Sequence, residues 1–418
     1  MNSFFKIRPR KADHAEKLLI TENAPSGTPF FSILIPTRGR PDLLRDALMS
    51  ALFQDFDNFE VVVSDNCNDN RTQEVLDDFR DHGRLRCIRP ERLLSMPDHW
   101  EFASQHAEGV YVLFLTDRCV LKRHALKSIH TAINSIDGDV SVCSWRGSPY
   151  DDITGRESGD ASIHAGEHSA MLASHLVAAD FVMGYNQNPY RFSIPRSLNS
   201  CYRNELVRSL RDRFGTVFKP ISPDITSAYL LLANITEILF IDKALFISQE
   251  GRSNGGDAYA KTAAAYLETL GDGEWLTRVP IKAPLLTNTI FQDYLAIQDL
   301  AGGSLNQVNV DWTVYFVLCY RELMEKTAAN LLSQHQLDSL YVEWSRAVGE
   351  FEVSIQNEVH RRLKGLRWIK LKSLLRRNAI KWLYARNLKR AVNNFRRRMW
   401  RMRASQTVLQ AAGFRGGG

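Results

Sequence analysis

The six cysteines of this 418-residue chain (Cys67, Cys87, Cys119, Cys143, Cys201 and Cys319) include no CxxC pair, and no histidine cluster lies near them. That spacing excludes a zinc ribbon or disulfide framework and points to a reducing compartment. The eleven histidines show no metal-ligand spacing either. Long hydrophobic runs are also missing. The most apolar window, residues 228–247, is broken by Asn234, Glu237, Asp242 and Lys243 and cannot cross a bilayer. The opening Met1-Asn-Ser-Phe-Phe-Lys has no apolar core of a secretion signal, so the expectation is a cytoplasmic chain. No GxGxxG follows the first strand-like run, which excludes a dinucleotide fingerprint. The lack of a phosphate-cradling glycine loop there also argues against a nucleotidyltransferase. Finally, acid is absent from everything after Glu358.

That last absence divides the chain. Arg361 to Arg415 hold 18 of the 53 Lys and Arg residues, leaving 35 basic against 47 acidic residues in the rest. An acidic body and a basic C-terminal segment are therefore read as separate parts. An apolar content of 44% is enough for the body to bury a sizeable core. Residues 1–30 read as a lead-in or short helix. Phe31-Ser-Ile-Leu-Ile-Pro36 predicts a strand stopped by its proline. Apolar residues at 43, 44, 47, 48, 51 and 52 predict a helix, and Phe59–Val63 a second strand. Helix 71–80, strand 85–88, helix 99–107 and the apolar run Val110–Leu115 continue the alternation, which predicts a parallel α/β sheet. Further helices are expected at 122–136, 204–214 and 225–233, and strands at 139–145 and 240–247, with loops over 146–200. Residues 257–358 have helical periodicity without recognisable chemistry.

Polar residues gather where these strands end. Thr37-Arg38-Gly39-Arg40 follows the first, Ser64-Asp65-Asn66 the second, and Thr116-Asp117-Arg118 the apolar run. In open α/β sheets ligands collect beyond the strand carboxyl ends. Asp65 can accept from an imide N–H of a base, although Asp, Asn and Ser after a strand also cap helices, the reading preferred for Asn66, Asn68 and Asp69. Arg38-Gly39-Arg40-Pro41 has the form of a minor-groove hook, but it lies between a strand and a helix, and no nucleic-acid partner is expected.

In order and spacing, Ser32-Ile-Leu-Ile-Pro-Thr37, Val62-Val-Ser-Asp65-Asn, Val112-Leu-Phe-Leu-Thr-Asp117 and Pro223-Asp224 with Ser253-Asn-Gly-Gly resemble the family-2 glycosyltransferases, inverting enzymes of the GT-A fold. The likeness spans roughly residues 30–256. It implies a GT-A nucleotide-sugar domain with a mostly helical C-terminal extension, divided as 1–30, 31–256, 257–358 and a basic amphipathic 359–418. It also implies transfer from a nucleotide-diphosphate donor, a UDP-sugar, to a glycan or lipid-linked glycan hydroxyl in envelope polysaccharide synthesis. By the resemblance Pro36, Thr37, Arg40 and Asp65 line the nucleoside pocket, with Thr116 and Asp117 beside the ribose. Asp224 is the general base, unless it is only a structural Asp at a helix start. Ser253 and Asn254 close over the diphosphate, and Arg191, Arg196 and Asn199 contact diphosphate or acceptor. His99 and Trp100 border the donor, with Trp100 equally a core residue.

The chain departs from the family where a second acidic residue normally ligates Mg²⁺ or Mn²⁺. Arg118 stands there, followed by Cys119, so that no metal ligand is assigned unless Asp117 serves as one. Either Arg118 replaces the metal on the diphosphate, or the site has degenerated into a silent nucleotide-sugar- or glycan-binding scaffold tethered by the basic segment. That segment, 359–403, carries Trp368, Trp382 and Trp400 near whole helical turns apart among Lys and Arg. The pattern describes a helix lying on an anionic membrane surface, with a nucleic-acid arm or a packing helix as alternatives. The expected location is peripheral, on the inner face of the membrane.

Overall fold

The computed structural model describes residues 17–19, 27–67, 70–151, 156–157, 169–184, 193–250, 266–267, 270, 274–328, 333–365 and 407–414. Its centre is a run of four parallel strands: β2 (Phe31–Thr37), β3 (Phe59–Asp65), β4 (Leu85–Arg89) and β5 (Tyr111–Phe114), in the order β4-β3-β2-β5. β1 (Lys17–Leu19) pairs antiparallel outside β4, so part of the expected lead-in is an edge strand. Past β5 the sheet becomes mixed instead of continuing parallel. β10 (Ser200–Arg203) lies antiparallel between β5 and β7 (Val142–Asp151). β11 (Glu237–Glu250) runs parallel to β7, with β6 (Cys119–Leu121) and β9 (Ser169–Ala173) antiparallel against its two halves. β8 (Arg156–Glu157) pairs with the end of β7.

β2 does not stop at Pro36. Leu34 turns its carbonyl toward β5, accepting from Leu115 N, and Pro36 two residues later turns the same way. The β2–β5 ladder ends at Leu34, so the N–H that proline lacks has no partner to miss.

Side chains alternate along the strands into two cores. Ile33, Ile35, Val61, Val63 and Leu113 pack under α1 (Pro41–Leu52), α2 (Arg71–Asp77) and α4 (Ala125–Asn134). Leu34, Val62, Val112 and Phe114 pack under α3 (Met96–Gln105), α5 (Ser174–Val182), α6 (Asn204–Phe214) and α7 (Pro223–Ala233). This second core continues without a break into α8 (Leu286–Ala301), α9 (Trp312–Ala328), α10 (Gln334–Gly349) and the helix over 353–365. α7 is buried almost all round, because the sheet side and α8 enclose it. A last helix, α11 (Val408–Ala411), packs Val408 and Ala412 on Val120, Tyr150 and Ile247.

Candidate functional site

The parallel register sets Thr37 beside Asp65 at the carboxyl edge of the sheet. Thr37 Oγ1 donates to Asp117 Oδ2 at 3.1 Å, and Arg40 Nη2 lies 2.7 Å from Asp117 Oδ1. Asp117 is fully buried, and that burial pushes its carboxyl up from the usual range, against the pull of Arg40, Thr37 and Arg118. Asp65, also fully buried, takes Arg89 Nη2 at 2.6 Å from the end of β4. Sequence reasoning missed Arg89; its place one strand over from Asp65 was the signal. Pro36, Thr37, Arg40, Asp65, Thr116, Asp117 and Arg118 thus share one edge, with Thr116 Oγ1 turned to Cys119 Sγ at 3.2 Å.

Arg118 faces the other way along that edge. Its Nη1 donates to Ser248 Oγ at 3.1 Å and to the Gln249 carbonyl at 3.4 Å, while Gln249 N returns a bond to the Arg118 carbonyl. Among the described residues no carboxylate pairs with it. Beside it the Gln249 Nε2 amide is buried with no hydrogen-bond partner among the described residues. A half-buried guanidinium next to an unsatisfied N–H donor suits an anionic, oxygen-rich group. Gln249 and Ser248 carry no motif of their own and enter only through the antiparallel β6–β11 register, which sets Cys119 opposite Ser248.

A second cluster is built from β10 and α7. Cys201 pairs with Leu113, so the 3₁₀ turn Ser197–Asn199 stands at the carboxyl end of β5. Tyr202 Oη donates to Ser197 Oγ at 2.6 Å, and Ser197 Oγ meets Ser227 Oγ of α7 at 3.1 Å. This links the edge to the first turn of α7, where Asp224 is half-buried and in no ion pair among the described residues. Pro223 at N1 and an acid in the first turn suit the helix start. Arg196, just before the 3₁₀ turn Ser197–Asn199, is exposed. Asn199 is not open to a ligand through its amide nitrogen, which donates to the Trp145 and Ile194 carbonyls at 3.0 and 3.1 Å; its Oδ1 is buried without a partner among the described residues.

Other expectations move. Asn66 does not cap a helix: its side chain exchanges two hydrogen bonds with the Leu94 backbone and so pins the loop before α3. A carboxamide matches a peptide group donor for acceptor, which outweighs a single cap bond. Asn70, not Asn66, precedes α2. His99 Nε2 meets Ser64 Oγ at 2.9 Å inside the core, and burial pushes its pKa down to about 4. Trp100 stacks on Phe114 with ring centres 4.9 Å apart, and is core. Asn68, Asp69, Arg191, Ser253 and Asn254 lie outside the described residues, as does most of 359–403.

The donor set does not fit a divalent cation. Among the described residues the carboxylates of this edge are Asp65 and Asp117, and each already faces a guanidinium, of Arg89 and of Arg40. Cys119 behind Asp117 is buried. No group of three His, Cys, Asp or Glu residues that could hold a metal occurs among the described residues.

Residues 32–189 match the family model of glycosyl transferase family 2. Over 120 residues the chain is 28% identical to the poly(ribitol-phosphate) beta-N-acetylglucosaminyltransferase TarS of Staphylococcus aureus. That alignment covers 28% of this chain and 21% of the relative, so the chain matches about a fifth of the relative's length. A crystal structure of S. aureus TarS in complex with UDP-GlcNAc superposes with a TM-score of 0.45 at 17% identity, covering 80% of this chain and 91% of that one. The mannosyltransferase PcManGT from Pyrobaculum calidifontis, in complex with GDP-Man and Mn²⁺, gives 0.39 at 16% identity, covering 90% and 91%.

Proposed function

We propose that this chain, a glycosyltransferase whose residues 32–189 belong to glycosyl transferase family 2, moves a sugar from UDP to a glycan hydroxyl with inversion and without a metal. The observation that carries the reading is the convergence of Asp65, Thr37, Asp117 and Arg118 on one carboxyl edge, joined through Ser197 and Ser227 to Asp224. In this reading Pro36, Thr37, Arg40 and Asp65 hold the nucleoside, and Thr116 and Asp117 border the ribose. Asp224 takes the acceptor hydroxyl proton as that oxygen attacks the anomeric carbon. The bond from that carbon to the diphosphate oxygen breaks on the opposite face, and UDP leaves carrying the electron pair. Arg118 and the Gln249 amide take up the charge on the leaving diphosphate, the role a divalent cation would otherwise serve.

The name of the relative, a beta-N-acetylglucosaminyltransferase acting on poly(ribitol-phosphate), makes UDP-GlcNAc the first donor to test and a polyol- or glycan-bearing envelope polymer the first acceptor. A peripheral site on the inner membrane face, held by 359–403, would bring the enzyme to lipid-linked acceptors. No helix among the described residues is long and apolar enough to cross a membrane. The test is UDP release from UDP-GlcNAc in EDTA, by the parent chain and by Asp224→Asn. The reading expects turnover that resists EDTA and is lost in the variant. Donor binding with no turnover in the parent supports the silent scaffold instead.

A further inference from the structure

We propose that Asp293, on α8 and outside the stretch that matches the family, is a positioning residue for the reacting carboxylate at the start of α7; this rests on Asp224 being the general base. Asp293 is 1% exposed and has no cation beside it among the described residues. Its Oδ1 accepts Ile221 N and its Oδ2 accepts Ser222 N, both at 3.0 Å. Ser222 is the residue from which α7 starts, two before Asp224.

A buried, uncompensated carboxylate costs stability, so its presence needs a reason that an apolar side chain would not supply. Here the reason is geometric. Two consecutive N–H groups point at one carboxyl group, and its ionised form, with two equivalent oxygens, satisfies both. Burial raises its pKa to about 7, so that form prevails above pH 7, where the test below is run. The same loop is gripped elsewhere: Thr226 Oγ1 donates to the Lys219 carbonyl at 2.7 Å and Tyr266 Oη to the Ile221 carbonyl at 2.7 Å. Asp293 thereby fixes the direction in which α7 enters the site, and with it the position of Asp224. The helical region is then part of the catalytic machinery, not an appendage to it.

The test measures UDP release from UDP-GlcNAc and UDP binding by calorimetry for the parent, Asp293→Asn and Asp224→Asn. An amide keeps the size but turns an NH₂ toward one of the two N–H groups. A displaced base costs rate without touching the donor pocket, so Asp293→Asn should lower kcat about 10- to 100-fold and leave UDP affinity and KM for the donor unchanged. Unchanged kcat, or a kcat loss accompanied by an equal loss of UDP affinity, overturns the proposal. If Asp293→Asn does not fold, Asp293→Ser leaves one acceptor oxygen for the two N–H groups and should show a loss of the same kind; an unchanged kcat there overturns it. Full turnover in Asp224→Asn would sink the base assignment itself, whereas loss there with none in Asp293→Asn sinks the positioning alone.

Discussion

Asp293 and His99 are buried on different helices and titrate against each other. Burial raises Asp293 from 3.8 to about 7, with the backbone hydrogen bonds from Ile221 and Ser222 opposing the rise. Burial lowers His99 from 6.5 to about 4. Between pH 4 and 6.5 the unfolded chain holds the extra proton at His99, so that group's contribution is full above 6.5 and is lost as pH falls. For Asp293 the folded chain holds the extra proton, so its contribution is present at low pH and is lost as pH rises toward about 7. Each slope is about 1.4 kcal/mol per pH unit, of opposite sign, and the two largely cancel in the parent. Urea unfolding across pH 4–7 should separate them. The stability of the parent relative to His99→Asn should rise with pH, and that relative to Asp293→Asn should fall. Parallel slopes for the two comparisons would contradict the assignment of both groups. At Arg118, replacement by alanine should weaken UDP binding roughly 10- to 100-fold, the worth of a charge-assisted bond, and Arg118→Lys should recover part of it.

At the scale of elements, what could be read beforehand followed from periodicity. α6 and the parallel strands β2 to β5 stand where apolar spacing put them, because each buries a regular face. The order of the outer strands could not be read, since β10 is only four residues long and β11 changes partners along its 14 residues through bulges after Ile241 and Ala244. For the same reason Gln249 was invisible as a site residue: its place beside Arg118 depends on a pairing over 130 residues of chain. The strand-end residues were legible because one rule about parallel sheets locates them together. The helix start at Pro223-Asp224 was legible, but Asp293 behind it was not, having only a buried partner in space to mark it. The junction of these elements is tight. Gly303, at φ +58°, opens the 3₁₀ turn Gly303–Gln307, and an added Cβ would come within 1.8 Å of the Ala233 carbonyl at the end of α7. Gly303→Ala should therefore destabilise by about 1–3 kcal/mol and lower the melting temperature by several degrees. A melt unchanged from the parent would contradict that packing.

At the scale of the molecule, the sheet and the helical region share one core. Tyr229 of α7 meets Tyr294 of α8 edge-on at 5.1 Å, and Phe291 is fully buried in the same core. A chain ended after residue 256 strips one side of α7 and should be recovered only as aggregate; a soluble product with a cooperative melt would separate the two regions. The basic segment is bracketed: Leu363 is buried in the helical core, and Val408 on the β6–β11 corner, where Arg123 N donates to the Ala412 carbonyl at 3.0 Å. Instead of trailing free, it starts and ends on the folded body. Sedimentation with vesicles should show binding to anionic but not neutral lipid, falling as salt rises. The central claim, a nucleotide-sugar site in which a guanidinium stands in place of a metal, is tested most directly by calorimetric titration of UDP in EDTA. The account predicts binding by the parent and by Asp224→Asn alike, and a loss of at least about tenfold in Arg118→Ala. Binding that appears only when Mn²⁺ or Mg²⁺ is supplied, or that ignores the loss of Arg118, would contradict it.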